Sequence, residues 1–140
     1  MEKIKCRKIS GGEAAGEALV SPKPISFFGG VDPDTGVVIE AGHPLEGQSV
    51  TGKVFIFPNG KGSTVGSYTL YRLKKNGKAP IAIINRECEA IVAVGAIISE
   101  IPAVDRPERD ISSLVSDGDE LSVDGTNGEI HIKKPKKRKQ

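Results

Sequence analysis

The apolar residues of this chain occur in short runs interrupted by glycine and proline, a pattern typical of many short strands joined by turns. Residues 2–9 alternate weakly between apolar and charged side chains, whereas residues 80–85 form the continuous β-branched run of a buried strand. Pro58 ends another apolar run. Strands are therefore predicted at 2–9, 17–20, 37–40, 53–57, 80–85 and 100–104, and a hairpin at 120–134 with Asp124-Gly125 and Asn127-Gly128 in its turn.

Two segments predict helices. The first has apolar residues at 65, 68, 70, 71 and 73, then basic residues and Gly77, so a helix is expected to begin at about Thr64. The second, residues 87–99, is mostly apolar and fits a helix or a buried strand, and its length favours a helix. Strands still dominate, so the predicted fold class is α+β, with one compact barrel-like or layered domain.

Composition and charge divide the chain into a body and a tail. Aromatic residues make up 4% and tryptophan is absent, so the core is expected to be aliphatic. The net charge is +2, but six of the 20 basic residues lie in 133–140, and without them it is −4. We predict a folded domain at 1–132 and a disordered, solvated basic tail at 133–140. The body is mildly acidic and the tail lacks aromatic residues for base stacking, so nucleic acid is not an expected partner.

Targeting and metal-binding patterns are also missing from the sequence. No long apolar run follows the N-terminal charges, and no run approaches the roughly 18 residues of a membrane span, so neither a signal peptide nor a membrane contact is predicted. Cys6 and Cys88 show no C-x-x-C spacing and fit a reducing cytoplasm, where we interpret them as buried small hydrophobic residues. Together with His43 and His131 they have no metal-ligand spacing, so no metal site is predicted in this chain.

The stretch FPNGKGSTVGSYTLY, residues 57–71, places glycines, a lysine and two hydroxyl residues just before the first predicted helix. It is not a P-loop, because Lys61 precedes the second glycine and the spacing is too short. The N–H groups at a helix start carry partial positive charge, and glycine allows a ligand to approach them closely. Ser63 is therefore either an N-cap or a serine whose ionised oxygen that positive end stabilises. No nearby histidine supports a Ser-His-Asp triad.

Segments 43–73, 79–105 and 117–130 together resemble the small subunit of the aconitase X family, and GKGSTVGSY (60–68) and VGAIISEIP (94–102) are their distinctive parts. The resemblance covers nearly all of the chain except the basic tail. It implies the swivelling domain of aconitase, with a β/β/α barrel-like fold. In aconitase a Gly-Ser-Ser-Arg turn carries a serine alkoxide that acts as the catalytic base, and Gly62-Ser63-Thr64-Val65 is the matching segment here.

The resemblance assigns roles to four residues. Ser63 falls on the catalytic base, while Gly62, Thr64 and Lys61 are expected to bind substrate. Val65 stands where aconitase has the arginine that binds the substrate carboxylate. Another group, either Lys61 or one from a partner, is therefore expected to bind that carboxylate.

The activity that the resemblance implies is a hydro-lyase reaction, the dehydration of (R)-5-phosphomevalonate to trans-anhydromevalonate 5-phosphate in isoprenoid biosynthesis. The family uses a [4Fe–4S] cluster with one iron open to substrate as a Lewis acid. Three protein thiolates hold such a cluster, and this chain has two cysteines. The cluster is therefore expected on a large partner subunit in a heterodimer, and this chain alone is expected to be folded and inactive.

Two alternatives stay open at the level of the sequence. The same fold could dehydrate another hydroxy acid, such as a hydroxyproline. The chain could also be a non-enzymatic swivelling or interaction module that acts through its basic tail.

Overall fold

The computed structural model describes residues 2–133, which form eight strands, three α-helices and one 3₁₀ turn. The strands are β1 (Glu2–Lys5), β2 (Arg7–Ser10), β3 (Glu13–Val20), β4 (Val54–Phe57), β5 (Ala82–Asn85), β6 (Ala103–Asp105), β7 (Glu120–Asp124) and β8 (Glu129–Ile132). The helices are α1 (Phe27–Gly30), α2 (Gly66–Lys75) and α3 (Ala90–Ile98), and the 3₁₀ turn is Ile111–Ser113.

The eight strands hydrogen-bond in the order β1-β8-β7-β3-β4-β5-β6-β2. Strands β3 to β6 are parallel, and the crossovers from β4 to β5 and from β5 to β6 run through α2 and α3. The other pairs are antiparallel and include the β7–β8 hairpin. Since parallel neighbours need a long crossover and antiparallel ones only a turn, both helices belong to the parallel half.

The two ends of this sheet meet at one residue. Strands β1 and β2 are at opposite ends of the strand order, yet only Cys6 separates them along the chain. The N–H of Cys6 donates to the carbonyl of Gly128 at 2.8 Å, which fixes this crossing point. Since two residues span only a few ångströms, the sheet has to curve until its ends are adjacent. The predicted α+β, barrel-like architecture is confirmed.

The strand that leads to the predicted site is buried on both faces. Val54 and Ile56 pack into the barrel interior, whereas Phe55 and Phe57 pack in the core that includes residues of α2 and α3. Phe27 joins these two rings, with centroid distances of 4.6 to 6.2 Å within the trio. Each buried ring contributes roughly 1.5–3 kcal/mol, so the end of β4 is held rigidly beneath the residues that follow it.

Three strand predictions need correction. The strand predicted at 2–9 is two strands, because the chain changes pairing partner at Cys6. The strand predicted at 17–20 starts at Glu13, where alanine and glycine weaken the apolar pattern. The strand predicted at 37–40 is wrong, because this segment forms only isolated bridges, Val31 to Val38 and Val37 to Ser49, within a loop that folds on itself.

Both predicted helices are confirmed as α2 and α3, but α2 starts at Gly66 and not at about Thr64. For residues 87–99 the structure selects the helix over the strand, and the Glu89 carboxylate caps its start. None of the helices among residues 2–133 combines the length and apolar character needed to cross a bilayer. The tail predicted at 133–140 lies, apart from Lys133, outside the described residues.

Candidate active site

The chain between β4 and α2, residues 58–65, contains all four residues predicted as a site, and we refer to it as the serine turn. It follows the carboxyl end of a parallel strand, the end at which α/β sheets usually bind ligands. Lys61, Gly62, Ser63 and Thr64 are all exposed. The structure therefore brings the predicted residues together at one open edge of the molecule.

The hydroxyl oxygen of Ser63 accepts a hydrogen bond from the N–H of Val65 at 3.1 Å. The predicted N-cap role is wrong, because the N-cap of α2 is Val65, which makes no side-chain cap bond. The first helical N–H groups bind main-chain acceptors instead, Gly66 to Ser63 at 2.9 Å and Ser67 to Thr64 at 3.2 Å. Ser63 thus closes a local turn ahead of the helix, with its side chain exposed.

Two features of this environment would stabilise a negative charge on the Ser63 oxygen. A backbone N–H that donates to Ser63 Oγ stabilises the ionised oxygen more than the neutral hydroxyl. The start of α2 adds partial positive charge on the same side. Both effects weaken in contact with water, so a surface that covers the turn is needed to give them their full strength.

Two glycines let the serine turn pack closely against its neighbours. A Cβ on Gly60 would lie 2.5 Å from both Glu89 Oε1 and Val92 Cγ2, at the start of α3. Gly62 has a φ of +96°, and a Cβ there would lie 2.4 Å from Ser26 Oγ. Larger residues would displace the turn from one wall or the other, so the glycines serve the fit of the turn as well as ligand access.

Lys61 is the cation of the serine turn, and it is ion-paired. Its Nζ lies 2.7 Å from Glu40 Oε2, with the lysine side chain 51% exposed and the glutamate side chain 22% exposed. Glu40 Oε1 also accepts the N–H of Ser26 at 3.3 Å. Partial burial raises the pKa of Glu40, but the hydrogen bonds from Lys61 and Ser26 and the nearby positive charge outweigh it and lower the pKa below its ordinary value. The Glu40 carboxylate is therefore ionised at neutral pH.

The remaining residues of the serine turn are open to a ligand. The Thr64 hydroxyl forms no hydrogen bond with any other residue of the described chain, 2–133, and its side chain is exposed. Val65 is 42% exposed and offers an apolar surface at the position of the aconitase arginine. The turn therefore provides the Thr64 hydroxyl as a hydrogen-bond donor and acceptor, the Lys61 ammonium as a cation and Ser63 as a candidate base.

An exposed apolar rim, which we define as Phe28, Val65 and Tyr68, lies where the serine turn meets α2. Val65 is the last residue of the turn, Tyr68 follows in α2, and Phe28 lies close to Gly66 at the start of that helix. Phe28 and Tyr68 are 52% and 68% exposed. Cavities of about 410 Å³ and 480 Å³ lie away from Lys61, Gly62, Ser63 and Thr64, although Pro58 at the start of the turn lines the first of them. Clustered exposed aromatic residues beside a polar site are typical of a surface that another molecule covers.

Comparison with known proteins identifies the family. The model of the aconitase X swivel domain matches residues 3–132. The chain belongs to this family. The family and fold class predicted from the sequence are thereby confirmed.

Two curated relatives of this aconitase X swivel domain are phosphomevalonate dehydratase small subunits. The Methanosarcina acetivorans protein is 60% identical over 134 residues, which cover 96% of this chain and 93% of the relative. The Methanocella arvoryzae protein is 60% identical over 129 residues, 92% of this chain and 98% of the relative. The crystal structure of Thermococcus kodakaraensis aconitase X in its holo-form superposes with a TM-score of 0.91 at 55% identity, covering 96% of this chain and all of that one.

The cysteines of this aconitase X swivel domain do not fit the thiolate set of a [4Fe–4S] cluster. Both are half-buried, and burial, followed by nearby carboxylates, raises the pKa of Cys6 and of Cys88 to about 12. Such a cluster needs three protein thiolates, and this chain has two cysteines. Among residues 2–133, no three His, Cys, Asp or Glu side chains are grouped to hold a metal ion.

The contacts of Ser26 and Glu40 with the serine turn of this aconitase X swivel domain were not predicted. Ser26 and Glu40 come from the long connection between β3 and β4, which has little regular structure and hence no periodic signal. In the sequence, the glycines at 30 and 62 were the sole indication of these contacts. In the structure, Gly30 leaves room for Glu40 and Gly62 leaves room for Ser26.

Proposed function

We propose that this chain is the small subunit of a phosphomevalonate dehydratase and that Ser63 is the catalytic base it contributes to a site shared with a large subunit. The identity of 60% over 96% of the chain with a protein of that name carries the proposal for the activity. The exposed Ser63, with a backbone N–H on its oxygen, supports the proposal for the base.

The reaction removes water across C2 and C3 of (R)-5-phosphomevalonate. Ser63 Oγ takes the proton from C2, next to the carboxylate, and the C2–H electron pair forms the double bond as the C3 hydroxyl leaves. The N–H of Val65 donates to the serine oxygen and stabilises negative charge on it before this step. Lys61 and the Thr64 hydroxyl bind the anionic and polar groups of the substrate, so the reacting carbon lies over the turn.

The large subunit provides what this chain lacks. The apolar rim is the part of the interface nearest to Ser63, and covering it excludes water from the base. A [4Fe–4S] cluster, which supplies Lewis-acid chemistry at the departing hydroxyl, belongs to the large subunit, since this chain has two cysteines and the cluster needs three.

Anaerobic co-expression with the candidate large subunit, followed by a phosphomevalonate assay, tests this function. We expect anhydromevalonate phosphate from the pair and no product from this chain alone. Hydroxyproline serves as the matched alternative substrate. Turnover of hydroxyproline but not of phosphomevalonate would contradict the proposed activity.

Amide exchange tests the proposed interface without any turnover. We expect amides at 60–65 to exchange more slowly when the large subunit binds, because the rim and the turn become covered. Amides at the centre of β7, where Val123 is fully buried, serve as the reference. Equal exchange at 60–65 in the free and bound chain would place the interface elsewhere.

A further inference from the structure

Glu40 joins the serine turn to the neighbouring chain segment. Its carboxylate binds Lys61 through Oε2 at 2.7 Å and the N–H of Ser26 through Oε1 at 3.3 Å. Ser26 in turn fills the space that a Cβ on Gly62 would occupy. One carboxylate therefore contacts residue 61 directly and residue 62 through Ser26, immediately ahead of Ser63.

The main chain holds Glu40 in this position. The N–H groups of Ile39 and Glu40 both donate to the carbonyl of Gly30, at 2.8 and 3.2 Å. A Cβ on Gly30 would lie 3.1 Å from Glu40 Oε1, so glycine leaves the space that the carboxylate uses. The N–H of Lys61 donates to the carbonyl of Ile25 at 3.1 Å, so the two segments that Glu40 connects also share a main-chain bond.

We propose that Glu40 is a positioning residue, which fixes the serine turn so that Ser63 faces the substrate proton and Lys61 its anionic groups. The proposal rests on the function proposed above for Ser63. A carboxylate suits this role because its two oxygens accept from both donors at once. Glutamine has only one acceptor oxygen, so it keeps one of the two contacts, and aspartate is one methylene too short to keep both.

Kinetics of the heterodimer test the proposal with Glu40→Gln, Lys61→Met and the double variant. Each single variant is expected to lower kcat at least tenfold, because Lys61→Met removes the ion pair while Glu40→Gln removes its negative charge and one of the two contacts. Since both act on the same pair, the double variant is expected to be no slower than the worse single. Lys61→Met is also expected to raise KM, because Lys61 is proposed to bind the substrate.

Glu17→Gln is the matched control, since it removes an exposed ion pair of 3.2 Å between Glu17 and Lys53 at the other end of β4. A kcat for Glu40→Gln within twofold of wild type, or losses that multiply, would overturn the proposal.

Amide exchange in the free, full-length chain gives a second readout that does not depend on turnover. In Glu40→Gln, and to a smaller extent in Glu40→Asp, the Lys61 amide is expected to exchange at least tenfold faster, with Val123 in β7 unchanged. An unchanged Lys61 rate in both variants overturns the proposal even if kcat falls. Faster Lys61 exchange together with a fully active Ser63→Gly heterodimer would keep Glu40 as a positioning residue of the turn while rejecting Ser63 as the base.

Discussion

The starts of α2 and α3 follow neighbouring parallel strands in the same way, yet they are built differently. At α3 the Glu89 carboxylate accepts the N–H groups of Ile91 and Val92, each at 2.8 Å. At α2 the N-cap position holds Val65, which has no side chain able to cap, and the serine hydroxyl lies two residues earlier, exposed. One start is capped by its own side chain, and the other presents a hydroxyl to whatever covers it.

The two adjacent connections therefore differ in purpose: the one before α3 stabilises its helix, and the one before α2 leaves its side chains exposed. Glu89 also lies against Gly60, so the capped start of α3 forms one wall of the serine turn. A turn that kept Ser63 as the N-cap would hold its oxygen on helix N–H groups and away from a substrate. The rigid neighbour therefore supports a turn whose own side chains remain exposed, as their proposed roles in substrate binding and proton transfer require.

The sharpest test of this comparison is the loss of the serine hydroxyl. Ser63→Ala and Ser63→Gly are expected to lower kcat of the heterodimer by about 10²–10⁴-fold, because positioned proton transfer is lost. Stability should change by only a few tenths of a kcal/mol, since Ser63 does not cap α2. Steady-state kinetics and urea unfolding measure the two effects. Turnover of Ser63→Gly within tenfold of wild type would show that this serine only shapes the turn.

A second test compares two glycines that have a similar positive φ but differ in whether another atom lies close to them. Gly62 and Gly47 have φ values of +96° and +88°, but a Cβ at Gly47 meets no atom within 4 Å. Both alanine variants should lose roughly 1 kcal/mol of stability through backbone strain. Only Gly62→Ala should also lose activity, about tenfold or more, because it pushes against Ser26. Equal activity of the two heterodimers would mean that the contact with Ser26 does not position the turn.

A substitution at the capped start of α3 should mainly lower stability, whereas a substitution of Ser63 should mainly lower activity. Glu89→Ala is expected to cost about 0.5–2 kcal/mol of unfolding free energy, because two helix N–H groups lose their acceptor. Its effect on kcat, measured well below the unfolding transition, should be much smaller than that of Ser63→Ala. A larger kcat loss for Glu89→Ala than for Ser63→Ala would reverse the assignment of the two starts.

The prediction with the smallest expected effect on activity concerns Cys88, the nucleophilic side chain of the connection between β5 and α3. Burial first, and then Asp105 and Glu89, raise its pKa to about 12 from 9.0. At pH 8 less thiolate is therefore present in the folded chain than in the unfolded one, and alkylation should be at least tenfold slower. Between pH 9 and 12 the unfolded state loses this proton first, so stability should fall as the pH rises. Peptide mapping after iodoacetamide treatment, with and without urea, measures the rates, and equal rates would contradict the burial of this thiol.

Local patterns predicted the parts of the molecule that local physics determines. The buried run before Pro58, the helix that ends near Gly77 and the glycine-rich connection between them were all predicted, because periodicity and chain-breaking residues act over a few positions. The N-cap was misplaced because serine suits both a cap and a turn two residues earlier. Glu40 and Ser26 could not be predicted, since they reach the turn through an irregular connection whose path depends on the whole fold.

Closure of the barrel, which brings β1 and β2 together at Cys6, depends on the pairing of the two strands that are farthest apart in sequence, β1 and β8. Strand β1 pairs Glu2 with Ile132, so the first described strand depends on the last. During synthesis this pair forms only after nearly the entire domain has left the ribosome, and refolding has to close a loop of almost the same length. The parallel core around β4 is built from local β-α units, so we expect closure of the barrel to be the slow, late step of folding.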